Sequence, residues 1–116
     1  MTAVTYDFVI EQGTTLQKIF VWKDSEGSAI DLTGYTARLQ IRPTVRSDSI
    51  YLDATTENGF LQIDAANGKV TLTVSATATS AFDWATGVYD LELEDSSGVV
   101  SRLSQGAVKV SFGVTR

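Results

Sequence analysis

The chain has 116 residues, a formal net charge of −5, no cysteine and no histidine. Its length fits one domain at roughly 100–200 residues per domain, and such a chain hides a bit over ~60% of its unfolded surface without cross-links. The missing residue types exclude disulfides, thiolate metal sites, a cysteine nucleophile and an imidazole base or ligand, and the acidic balance argues against a nucleic-acid partner, whose binders carry a basic patch or stripe.

In chain order, the N-terminus "MTAVTYDFVI" lacks a basic n-region and a long apolar core, so no signal peptide is expected. No apolar run approaches the ~18 residues of a membrane span. The expectation is a soluble protein made in the cytosol, with no membrane partner.

The first strand is "YDFVI" (Tyr6–Ile10), and the second "TLQKIFVW" (Thr15–Trp22). The second is apolar on both faces at its end, which predicts a central strand covered on both sides, with Trp22 as core packing. "KDSEGS" is a hairpin turn in which Gly27 supplies positive φ. "DLTGYTARLQIRP" then gives a turn and a third strand, with Tyr35, Ala37, Leu39 and Ile41 on the buried face and Thr36, Arg38, Gln40 and Arg42 outside. Pro43 ends it, having no N–H for the ladder.

After the polar loop "TVRSDS" come "IYLDAT" (Ile50–Thr55), "FLQI" (Phe60–Ile63) between two Asn-Gly turns, and the cleanly alternating "KVTLTVS" (Lys69–Ser75). The alanine-rich "ATATSAFDWATG" breaks the alternation, which predicts a single helical turn near 76–85. "VYDLELE" (Val88–Glu94), "VVSRLS" (Val99–Ser104) and "AVKVSF" (Ala107–Phe112) finish the chain, joined by "DSSG" and "QG". Seven to nine short strands at roughly 8–12-residue spacing predict one all-β domain over residues 1–116, an immunoglobulin-like antiparallel β-sandwich. Tyr89, two residues before the core position Leu91, fits either the tyrosine that ties strand F to upstream backbone in such sandwiches or a plain core aromatic.

Chemistry is harder to find. Without histidine or cysteine the common nucleophile–base dyads cannot be built. Asp90, Glu92 and Glu94 share one strand face, about ~7 Å apart at i, i+2, a glycosidase-like separation; their alternation with Tyr89, Leu91 and Leu93 reads as a solvated outer face. "KDSEG" and "EDSSG" cluster oxygen ligands without EF-hand spacing, and polar turns explain both. No Gly-rich loop precedes a helix to cradle phosphate. No catalytic residue, metal or cofactor is expected.

Surface recognition remains. Phe82 and Trp84 sit in an irregular connection and either anchor a partner or fold inward to plug the open end of the sandwich. Arg42 and Arg46, in the only basic cluster (with Arg38), and Tyr51 beyond them either offer a polar rim or belong to a plain solvated connection. The candidate contact residues are therefore Phe82, Trp84, Arg42, Arg46 and Tyr51.

Taken together, "YDFVIEQGTTLQKIFVWKDSEGSAIDLTGYTARLQIRP", "TTENGFLQI" and "GVYDLELEDSSGVVSRLSQGAVKVS" resemble small virion proteins of tailed bacteriophages and prophages. "DLTGYTARLQIR" in particular is similar to the N-terminal β-sandwich of upper-baseplate and tail-fibre adaptor proteins, where a D-L-T-G turn after a D-x-x-G hairpin leads into an alternating strand. The order and spacing of several weak motifs, from Tyr6 to about Val114, carry the resemblance. It implies a non-enzymatic structural role in the virion, docking to tail, baseplate or fibre proteins in several symmetric copies. Adaptor proteins continue past this domain whereas this chain ends at Arg116, so a standalone module is expected. Two alternatives stand beside it: a capsid decoration protein, and a carbohydrate-binding module using Trp84, Tyr51 and Phe60 as an aromatic platform.

Overall fold

In the computed structural model, which describes residues 3–115, the alternating stretches become strands because period-two burial is the only way these apolar residues reach one core. The strands are β1 (Val4–Thr5), β2 (Phe8–Glu11), β3 (Leu16–Val21), β4 (Thr36–Arg42), β5 (Leu52–Thr55), β6 (Leu61–Asp64), β7 (Lys69–Val74), β8 (Thr86–Glu94) and β9 (Val100–Ser111). A 3-10 turn, Ala65–Asn67, precedes β7, and one short helix, α1 (Ala76–Ser80), precedes β8. Ser75 caps that helix by accepting from the Ala78 N–H at 3.2 Å, satisfying an otherwise orphaned donor.

Two sheets result. The larger has the order β1-β9-β8-β4-β5, with β2 also on β9; the smaller is β3-β7-β6. Register sets the core: Leu39 lies opposite Leu91 and Ala54, and Phe20 opposite Val70. Ile10, Leu39, Ile41, Leu72, Val74, Leu91, Leu93 and Val108 are fully shielded between the sheets. Truncating any of the larger ones to alanine costs about 2–5 kcal/mol, transfer plus residual cavity. The immunoglobulin-like sandwich read from the sequence is the architecture observed.

Four local expectations change. First, β3 is not central. It is an edge of the small sheet, and Ile19 and Val21 on its outer face remain 56% and 42% exposed. The double-faced apolar run therefore marks an uncovered flank, not a doubly covered strand. Second, "QG" is no turn: β9 runs twelve residues through it. A bulge at Leu103, where Leu91 pairs with Ser104 but Glu92 with Arg102, keeps the long strand in register with β8.

Third, the N-terminal strand is split, and both pieces run parallel to β9 rather than antiparallel. They reach β9 from the far end of the sequence, so no hairpin imposes direction. Both pieces keep one register, and Gly106 lies beside the break between them: a Cβ there would collide with the Tyr6 carbonyl and lie 2.6 Å from Asp7 Oδ1. Asp7 Oδ1 accepts the Ala107 N–H at 2.8 Å, replacing the ladder bond lost at the split. Fourth, the Tyr89 hydroxyl does tie to upstream backbone, but far upstream: it donates to the Tyr6 carbonyl at 2.5 Å and sits 2.9 Å from Ser104 Oγ. Tyr89 thus pins the N-terminal strand to the core.

Candidate functional site

The "ATATSAFDWATG" connection is held from behind. Thr79, fully buried, donates through Oγ1 to the Thr14 carbonyl at 2.7 Å and accepts from the Gly13 N–H at 3.1 Å. Gln12 Nε2 donates to the Phe82 carbonyl at 2.9 Å. These bonds draw the segment back over the end of the sandwich and turn Phe82 and Trp84 inward, each only 8% exposed. Their rings lie 5.2 Å apart, and Tyr51 stacks flat on the Trp84 indole at 4.4 Å and 3°. Phe82 and Trp84 are therefore corrected from contact residues to the plug that closes this end. Trp84 Nε1 is buried without a partner among the described residues, so the indole works there as apolar filler and stacking surface.

The other expected contact residues gather at the same end. Arg42 donates through Nε and Nη2 to Gln40 Oε1 at 3.3 and 2.9 Å and through Nη1 to the Ser47 carbonyl at 2.6 Å. It is a strut that holds the 43–50 loop, and its donors are turned to its own chain. Arg46 stands exposed on that loop and Tyr51 is half-buried at its end. Because Trp84 lies under Tyr51, the flat platform of Trp84, Tyr51 and Phe60 needed for stacking a sugar is not formed.

Over the outer face of β4, β8 and β9 runs a shallow trough of about 540 Å³ lined by Gln40, Arg42, Asp90, Glu92, Arg102 and Gln105. The glycosidase candidates fall here: Glu92 pairs in register with Arg38 and Arg102, and Asp90 Oδ2 lies 3.5 Å from Arg102 Nε. Asp90 and Glu92 are part-exposed on this face and Glu94 is exposed at the end of β8, and cations interleave with anions across the strands. A half-exposed pair of that kind contributes at most about 1 kcal/mol. In the two acidic turns, Asp24 Oδ1 accepts from the Glu26 and Ser28 N–H groups, and Asp95 Oδ1 from those of Ser97 and Val99. Each carboxylate closes its own turn. Among the described residues no three acidic side chains converge as a metal site would require, and no helix is long and apolar enough to cross a membrane.

Asp31, which opens the "DLTG" turn, accepts from the Thr33 hydroxyl at 2.6 Å and its N–H at 3.0 Å. Those two bonds, the hydroxyl's first, hold its carboxyl below the usual range. Leu32 is buried beside it and Gly34 takes φ +83°, so the motif is an anchored corner that aims β4.

One surface was missed from the sequence. On the flank where the edge of the large sheet, β1, approaches the edge of the small one, β3, an apolar groove of about 240 Å³ is lined by Val4, Tyr6, Ile19, Phe20, Val21 and Leu103. Tyr6 stacks near Phe8 at 6.1 Å and meets Phe20 edge-on at 6.1 Å. The signal was present in "IFVW", where apolar residues on both faces meant an uncovered strand.

No family model matches the chain, and no curated protein matches it. Among solved structures it is similar to the Ig-like domain of mouse leukocyte-associated immunoglobulin-like receptor 1, crystallised as a strand-swapped dimer. The TM-score is 0.53 at 13% identity, over 90% of this chain and 88% of that one. At that identity the likeness concerns the fold.

Proposed function

We propose that this chain is a non-enzymatic structural module of a tailed-phage virion, docking by its open flank to tail, baseplate or fibre proteins and repeated by the symmetry of the particle. The observation that carries the docking role is where the apolar surface lies. Among the described residues eleven large hydrophobics are left exposed, and four of them, Val4, Tyr6, Ile19 and Val21, line one groove on the same flank; concentrated apolar surface marks contact sites. The likeness of "DLTGYTARLQIR" and its flanking motifs to adaptor sandwiches supplies the virion context. The non-enzymatic reading is supported by acids that lie on an open, charge-interleaved face instead of inside a cleft.

Mass spectrometry of purified particles, with gold-labelled antibody against the chain, tests this. Label at the tail tip or fibre base is the expected result. Label on the head makes the protein a capsid decoration instead, and absence from particles together with saccharide binding on a glycan array makes it a carbohydrate-binding module. Within the proposal, Ile19→Glu lowers incorporation into particles while leaving the isolated domain folded.

A further inference from the structure

The flank that carries the apolar groove also carries an unpaired strand edge. β3 pairs with β7 on one side and with no strand on the other among the described residues. Trp22 donates its N–H toward the β7 side, to the Gly68 carbonyl at 2.9 Å. Backbone groups alternate along a strand, so the N–H and C=O of Gln17, Ile19 and Val21 point outward. Three residues' worth of open ladder, on a six-residue strand, therefore lie beside a groove whose walls include Val4, Tyr6, Ile19 and Val21.

Natural sandwiches protect such an edge with an inward-pointing charge, and Lys18 is one. It lies between the inward residues Leu16 and Phe20, is half-buried, and holds its Nζ 6.0 Å from the Phe8 ring centroid. The sole ion pair among the described residues is Arg102–Asp90, so the Lys18 ammonium has no carboxylate within 4 Å there.

We infer that this edge is a strand-addition site for an extended segment of another protein that alternates apolar residues and turns one carboxylate inward onto Lys18. Backbone pairing to Gln17, Ile19 and Val21 supplies affinity, and the acid opposite Lys18 supplies selectivity. A second copy of this chain is the disfavoured occupant. Two-fold pairing of β3 with itself about Ile19 puts the two Lys18 side chains on one inner face as diagonal neighbours, roughly 7–8 Å apart, and pairing about Lys18 puts them face to face. Like charges under a covering strand oppose both arrangements. The site deepens the docking reading above, since it names the edge used and the chemistry of what lies on it.

The test is an NMR titration of the isolated ¹⁵N-labelled domain with three nine-residue peptides. Each has valine and threonine on one face and two isoleucines flanking a central residue on the other; that central residue is glutamate, glutamine or lysine. The expected result is shifts confined to the β3 edge and Val4–Tyr6, with the glutamate peptide binding about tenfold tighter than the glutamine one, the size of a charge-assisted bond. Lys18→Glu should reverse the preference toward the lysine peptide; if that variant does not fold, Lys18→Gln should erase it. Four results each overturn the proposal. They are equal affinity for glutamate and glutamine peptides, shifts on the outer face of β4–β8–β9, no binding of any peptide, and self-association of the wild type through β3 at the same concentrations. Because the isolated chain is used, failure here leaves the virion assignment standing, and absence from virions leaves the strand site standing.

Discussion

The two flanks of the sandwich are built differently. On the β5–β6 flank the chain passes from the large sheet to the small one through a turn knitted by Asn58. Its Oδ1 accepts from the Thr55 and Phe60 N–H groups, its Nδ2 donates to the Asp53 carbonyl, and its own N–H donates to Thr55 Oγ1. No large hydrophobic residue of β5 or β6 is left exposed. On the β1–β3 flank the chain also changes sheets, through Gln12–Thr15, but the strands beside the crossing present Val4, Tyr6, Val9, Ile19 and Val21 to solvent. Both flanks end in edge strands, since β5 and β6 close their sheets as β1 and β3 do. What sets the flanks apart is side-chain polarity: the connection at β5–β6 is held by polar bonds, whereas the β1–β3 side adds exposed apolar surface to its open edge.

Several measurements can break or sharpen this contrast. The largest effect belongs to neither flank: Trp84→Ala empties the plug and should cost about 3–5 kcal/mol in urea unfolding, as core aromatic truncations do. A loss below 1 kcal/mol would mean that the indole is a surface residue after all. Next, Gly106→Ala forces Cβ against the Tyr6 backbone and should cost about 1–3 kcal/mol, with amide exchange accelerated selectively in β1 and β2. Uniform acceleration would show that the N-terminal strand is not separately pinned at this break.

Tyr89→Phe removes the bond to the Tyr6 carbonyl and the contact to Ser104 Oγ, and should cost about 1–2 kcal/mol. Burial, the larger influence, pushes the Tyr89 hydroxyl above its ordinary value against the opposing Ser104 bond. The folded state then holds its proton after the unfolded chain has released its own. Stability from this group is therefore fully present below about pH 10, and is lost as pH rises above that value toward and through the folded pKa. Denaturation midpoints between pH 8 and 11.5 should fall more steeply in the wild type than in Tyr89→Phe.

The smallest pair contrasts the flanks directly. Asn58→Ala should cost about 1 kcal/mol through its lost turn bonds, whereas Ile19→Thr should stay within about 0.5 kcal/mol, being an exposed site. Equal costs would erase the distinction between the flanks.

Alternation alone placed most of the strands, because inward and outward positions along β4, β7 and β8 differ so plainly in polarity that one face must be core. The turn chemistry of Asp24–Gly27, Asp31–Gly34 and Asp95–Gly98 was equally legible, since each aspartate and glycine acts within its own few residues. Of the candidate contact residues, Arg42, Arg46 and Tyr51 lie together at one end, with Arg42 bonded to Gln40 and the Ser47 carbonyl. What lies under Tyr51 was not legible: whether Trp84 faces water or core depends on Thr79 and Gln12, bonded across the fold to residues more than sixty positions away.

Sequence by itself determined the two-layered β architecture, most of its turns and the buried face of the cleanly alternating strands, because those follow from local periodicity and backbone preference. Only the tertiary structure decided that β3 is an edge, that β9 runs on through Gln105–Gly106 and that the N-terminal strand lies parallel on it. Neighbour order is set by long-range pairing, and a strand's own residues carry the same alternation whether or not another strand lies beside them.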